Sequence, residues 1–202
     1  MPRGFHEHER VRIRARLQAA AHEGLATIGF RKLSVAAMAR AAGISKGAFY
    51  LFYASKEELL FDVLAGFEAT YHQQLLTIAA QPSGTPPERI RGLLEHALLA
   101  WKREPLFRFF GSDEYRMLLQ ALPPAALAAG MQADLRFAEQ LIAIWRAQGM
   151  VIEWQPALFV NLMRALFLVA LHETDFDPAI YPQMIAELVA MLAARIGQQG
   201  GI

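Results

Sequence analysis

The sequence predicts an all-α protein, on three observations. Apolar residues recur at helical spacing along nearly the whole chain. No stretch shows strand alternation bounded by hairpin turns. The segment Gln81–Pro87 and the pairs Glu104-Pro105, Pro123-Pro124, Gln155-Pro156 and Asp177-Pro178 break the chain between periodic stretches. With 54% apolar residues in 202, the chain has ample material for a packed core, which excludes disorder throughout. It has no cysteine, so disulfides, thiolate metal sites and a cysteine nucleophile are excluded.

The elements follow in order. Ile13, Leu17, Ala20, Ala21, Leu25 and Ile28 form one face of a long first helix that Gly29 closes. Ser34 is placed to cap a short helix from Val35 to Ala42, stopped by Gly43, and Ser45 to cap another from Lys46 to about Phe52. Ser55-Lys56-Glu57-Glu58 reads as a capping box, opening a long helix with Leu60, Val63, Leu64, Phe67, Tyr71 and Leu75 on one face. Further helices are expected at about 87–103, 105–121, 124–149, 156–173 and 178–197, about nine in all. Two domains are expected, 1–54 and 55–202, with the helix 55–80 connecting them.

Charge is unevenly spread. Residues 1–60 carry ten Lys/Arg against five Asp/Glu, and residues 61–202 carry ten against fourteen. A basic first third on a mildly acidic body suggests a module that meets a polyanion. The N-terminus lacks the apolar core of a signal peptide. The stretch Leu158 to Leu171 is interrupted by Asn161 and Arg164 and is too short for a membrane span. A cytoplasmic protein without a membrane partner is expected.

Two short helices joined at Gly43-Ile44, with Ala39 at their crossing and Val35, Met38, Ile44 and Phe49 to fill the wedge, have the pattern either of a helix-turn-helix or of an ordinary αα-corner with solvent-facing lysines. The second helix begins Ser45-Lys46-Gly47-Ala48. Small residues there permit close approach to DNA, Lys46 adds charge, and Tyr50 and Lys56 are placed for backbone phosphates. Arg3 and Arg10 either reach phosphate or lie on a solvated helix face with Arg12, Arg14 and Arg16.

These residues resemble a family. Ser34-Val35, Met38-Ala39, Ala42 to Gly47, Phe49-Tyr50 and Ser55 to Leu60 look like the signature of the TetR family of bacterial transcriptional repressors, a resemblance covering about residues 10–65. It implies an N-terminal DNA-binding domain, a helical ligand-binding body and a homodimer formed by the last two helices. The implied DNA-contacting residues are Ser34, Ser45, Lys46, Gly47, Ala48, Tyr50, Leu51 and Lys56. The implied partners are a double-stranded operator and a small-molecule effector that moves the fourth helix. The family often has Tyr then Phe where Phe52-Tyr53 stand. Tyr53 therefore either stays in the core or restores a phosphate contact that Phe52 has lost.

The body's aromatics suit an apolar pocket, for which Phe67, Tyr71, Trp101, Phe107, Phe110, Tyr115, Trp145, Met163 and Phe167 are the candidates. Arg164 is a lone charge in an apolar helix. It either anchors an acidic ligand or pairs with an acid across the dimer. Phe159, Leu162 and Leu166, with Ile185, Leu188 and Leu192, are the candidate dimer contacts. No GxSxG, HExxH, P-loop or GxGxxG is present, so no enzyme activity and no cofactor is expected. His6-Glu7-His8 and His172 to Asp175 lack metal-ligand spacing, so no metal is expected. The alternative is an all-α small-molecule binder or enzyme whose N-terminal helices are structural.

Overall fold

A computed structural model describes residues 5–81, 83–104 and 106–197, without the side chains of Phe107 and Arg108. Arg3 lies outside the described residues. The described residues form ten α-helices and one 3-10 turn, with no strand. They are α1 Glu7–Ile28, α2 Val35–Ala41, α3 Lys46–Phe49, α4 Lys56–Ala79, α5 Pro86–Arg103, α6 Phe107–Phe110, α7 Asp113–Ala121, α8 Pro124–Ala147, α9 Pro156–Leu171 and α10 Tyr181–Gly197. The 3-10 turn is Glu173–Asp175.

The helix expected over 105–121 is two. Gly111 interrupts it and Ser112 restarts it: the Ser112 hydroxyl donates to the Phe109 carbonyl at 2.6 Å and accepts from the Tyr115 amide at 3.2 Å. An N-cap of this kind satisfies a donor that an unbroken helix would have paired internally.

The chain divides into two compact units. The first is Met1–Glu68 with Arg108–Pro124, and the second is Ala69–Phe107 with Ala125–Ile202. In the first, α1 buries Ile13, Leu17, Ala21 and Leu25, at the spacing the sequence sets. Gly29 ends the helix at φ 80°, where a side chain would be strained. Arg108–Pro124 joins this unit through the α1–α2 loop. The Glu114 carboxylate accepts the Phe30 amide at 3.0 Å, Arg31 lies 3.6 Å from the same carboxylate, and the Phe30 and Phe109 rings stand 6.3 Å apart.

In the second unit α5, α8, α9 and α10 share a core that includes Ile90, Leu94, Leu141, Trp145, Phe159, Leu166, Val189 and Ile196. α10 closes tightly on the start of α5. A Cβ at Gly197 would stand 2.8 Å from the Pro87 nitrogen, so only glycine fits there. Two expected roles change. Phe159 and Leu166, candidates for a partner chain, are 2% and 4% exposed and pack inside their own chain. Trp145, a candidate ligand contact, is 1% exposed and meets Phe159 edge-on at 5.9 Å. All three are core residues: α9 presents Phe159 and Leu166 inward, and α8 presents Trp145.

Trp145 is among the largest fully buried side chains of the protein. Trp145→Ala is expected to cost about 3–5 kcal/mol, read as a lower urea midpoint.

Candidate nucleic-acid interface and effector region

The turn between α2 and α3 is built by local rules. The Ser34 hydroxyl accepts the Ala37 amide at 3.2 Å and starts α2. Ala42 ends it, and Gly43 follows at φ 77°, in the region that favours glycine. The Ile44 amide donates back to the Ala39 carbonyl at 2.9 Å. The Ser45 hydroxyl accepts the Ala48 amide at 3.1 Å and starts α3. Met38, Ala39 and Phe49 are buried between the helices, as the sequence pattern expects.

The opposite face of α3 is open. Ser34, Ser45, Lys46 and Gly47 are exposed, Ala48 is half-buried, and Tyr50 and Leu51 are 50% and 58% exposed. Phe52 and Tyr53 turn inward, which decides between the alternatives for this pair. Phe52 packs on Phe5 at 5.5 Å. The Tyr53 hydroxyl donates to Asp62 at 2.6 Å, and burial together with that carboxylate pushes its pKa up. Tyr53 is therefore a core tyrosine.

Lys56 differs from expectation. Its ammonium donates to the carbonyls of Phe30 at 3.1 Å and Leu33 at 3.3 Å, and sits 4.3 Å from the Phe30 ring centre. It ties the α1–α2 loop to the start of α4 instead of standing free for phosphate. The capping box at Ser55 forms with one change: Ser55 accepts the Glu58 amide, but the Glu58 carboxylate takes the Ala54 amide at 2.6 Å. Sequence reasoning left unassigned a cleft of about 130 Å³ beside the turn, lined by Arg12, Arg16, Gly43 and Ile44 among others.

The candidate effector residues fall into two clusters. In the first unit Phe67 faces Phe110 at 6.3 Å, and Phe110 faces Tyr115 at 5.2 Å. In the second, Tyr71, Trp101 and Phe167 stand within 5.0 to 6.4 Å of one another, with Met163 packed on the same core. The Tyr71 hydroxyl donates to the Ala97 carbonyl at 2.9 Å, and burial raises its pKa. The side chain of Phe107 lies outside the described residues.

A polar group borders the second cluster. Arg164 donates to Asp134 at 3.2 Å, so its acid partner is in its own chain. His72 lies 3.9 Å from the same carboxylate and stacks on Phe137 at 4.1 Å. The sequence reading missed His72 and Asp134, because they are 62 residues apart and share no motif. Among the described residues no cluster suits a metal ion, and no helix is long and apolar enough to cross a membrane.

Residues 17–63 match the sequence profile described as "Bacterial regulatory proteins, tetR family". Over these residues, about a quarter of its length, the chain is similar to that family. Solved structures share the fold. A TetR-family transcriptional regulator from Pectobacterium atrosepticum superposes with TM-score 0.68 at 21% identity, covering 95% of this chain and 96% of its own. Thermus thermophilus FadR, a TetR-family transcriptional repressor in complex with lauroyl-CoA, gives 0.58 at 24%, covering 94% and 95%. RolR in complex with resorcinol gives 0.64 at 19%, covering 96% and 97%. No curated protein matches the chain in sequence. α2 and α3 both lie within the matched residues.

The His72 environment sets a pH dependence. Burial disfavours the imidazolium and outweighs the attraction of Asp134, so the pKa lies below 6.5. The unfolded chain takes up a proton near 6.5 and the folded chain resists it, so stability falls as pH drops below that value. His72→Gln is expected to flatten the loss of melting temperature between about pH 7 and pH 5.

Proposed function

We propose that the protein is a homodimeric, ligand-responsive transcriptional regulator, acting as a repressor in the cytoplasm on a palindromic operator. The observation that carries this is the amphipathic split of the short helix-turn-helix. Phe49 is fully buried, while Ser45, Lys46, Gly47, Tyr50 and Leu51 face solvent together. Lys46 and Ala48 face base edges or the flanking backbone. Ser34 and Tyr50 reach phosphates, and Leu51 supplies apolar contact in the major groove. Lys56 acts indirectly, through the loop that its ammonium holds.

A palindromic site needs two heads about one helical turn apart, roughly 34–36 Å, which a two-fold dimer supplies. α9 and α10 offer the surface. Leu158, Leu168 and Met191 are each about half exposed, at 50%, 49% and 58%. Leu162 is partly exposed, and Ile185, Leu188 and Leu192 are partly buried on the core. These residues form the dimer contact in place of Phe159 and Leu166.

The effector is a small molecule with a largely apolar or aromatic body, taken up beside Tyr71, Trp101, Met163 and Phe167. The lauroyl chain of the lauroyl-CoA in FadR and the ring of the resorcinol in RolR are apolar or aromatic groups of that kind in proteins sharing the fold. Phe67, Phe110 and Tyr115 belong to the other aromatic cluster.

The test is a gel-shift titration with the DNA upstream of the protein's own gene, at several salt concentrations. Lys46→Ala is expected to weaken binding and lower the slope of log affinity against log salt by about 0.9, one phosphate's worth of counterion release. Its melting curve is expected to match that of the unaltered protein. Absence of binding to any upstream fragment overturns the proposal. In sedimentation the chain is expected to run at twice its 22.5 kDa mass, and Leu158→Glu at the single mass.

A further inference from the structure

The recognition helix α3 has four residues, Lys46–Phe49, and its turns run on to Tyr53. Its N-terminal end is held by the Ser45 hydroxyl. Its C-terminal end is held from outside. The Leu51 carbonyl accepts from the Arg10 guanidinium at 3.2 Å, and the Phe52 carbonyl accepts from Arg14 at 3.3 Å. Each guanidinium also lies over a ring, Arg10 at 5.2 Å from the centre of Phe52 and Arg14 at 5.1 Å from that of Tyr53. Arg10, Arg14 and Gln18 are spaced i, i+4, i+8, one stripe on α1. Gln18 completes it by donating to Asp62 at 2.9 Å, the carboxylate that also takes the Tyr53 hydroxyl.

The last carbonyls of a helix have no internal partner and carry the negative end of its dipole, so cations there stabilise it. A guanidinium with several donors in a fixed plane fits this task, and one already bonded and stacked is less available to phosphate. We propose that Arg10 and Arg14 are positioning residues for DNA reading, holding the turn that follows the recognition helix by the carbonyls of Leu51 and Phe52 instead of contacting phosphate. This rests on the DNA-binding reading above and names two residues outside the helix-turn-helix on which it depends.

The roles separate in salt dependence. A phosphate ligand contributes to counterion release, and a positioning residue does not. Arg10→Gln, Arg14→Gln and the double variant are titrated with operator DNA beside Lys46→Ala, and amide hydrogen exchange is followed in the free proteins. The Arg10–Leu51 bond is exposed and the Arg14–Phe52 bond part-buried, so Arg10→Gln keeps the test open if Arg14→Gln fails to fold. The double variant is expected to lose at least tenfold in affinity with the salt slope unchanged, and Arg14→Lys to recover part of the loss. Amides of Leu51, Phe52 and Tyr53 are expected to exchange at least tenfold faster in the double variant and unchanged in Lys46→Ala. A slope lowered by about one per arginine removed, or exchange that does not change, overturns the proposal. If the unaltered protein binds no DNA, the DNA-binding reading fails, and the exchange measurement alone decides whether the arginines hold the turn.

Discussion

A helix of four residues does not sustain itself in water. Nucleation costs more than one or two hydrogen bonds return, and isolated helices below about 12–15 residues are marginal. The element proposed to meet DNA is of this kind, so its form is set by what lies around it. Phe49 is fully buried and supplies the apolar anchor. Gly43 takes the backbone conformation that turns the chain, Ser45 satisfies an amide at the start, and two arginines satisfy carbonyls at the end. Take any of these away and the exposed face loses its definition before the fold loses its core.

The loop before α2 shows the same dependence on partners. Phe30 has its amide bound by Glu114 and its carbonyl by Lys56, while its ring is covered by Phe109 and the Lys56 ammonium. Two of these partners come from Arg108–Pro124, which is remote in sequence from the helix-turn-helix yet belongs to the same unit. The segment that fixes where Ser34 begins α2 is thus anchored partly by a later part of the chain. A lysine bonded to two carbonyls also explains why charge alone is a poor guide to phosphate contacts. The cation nearest the expected phosphate position is already engaged.

What the sequence discloses divides along physical lines. Helix starts and stops were legible because caps are local: Ser34, Ser45, Gly29 and Gly43 act within four residues of themselves. The exposed face of α3 was legible for the same reason, as were the two helices that carry it. The break at Gly111-Ser112 was missed, since the surrounding apolar spacing is continuous and only the Ser112 hydroxyl's two bonds betray the restart. The inward turn of Phe159 and Leu166 was not legible. α9 is apolar on most of its surface, so its pattern does not say which side meets the chain's own core. His72, Asp134 and Arg164 come from three helices and depend on packing that no local rule reports.

That last group also bears on how an apolar site obtains selectivity. Aromatic walls such as Tyr71, Trp101 and Phe167 discriminate weakly, because adding or removing a methylene changes binding by only about 1–3 kcal/mol. Polar groups at the edge of such walls discriminate more strongly, since a mismatched ligand leaves them unpaired. Asp134 is shared between Arg164 and a histidine held neutral by burial. A molecule entering beside these rings must either leave that pairing intact or replace Asp134 as the partner of Arg164. The first option suits a neutral ligand and the second an anionic one, so the charge of the proposed effector would be coupled to the state of one carboxylate.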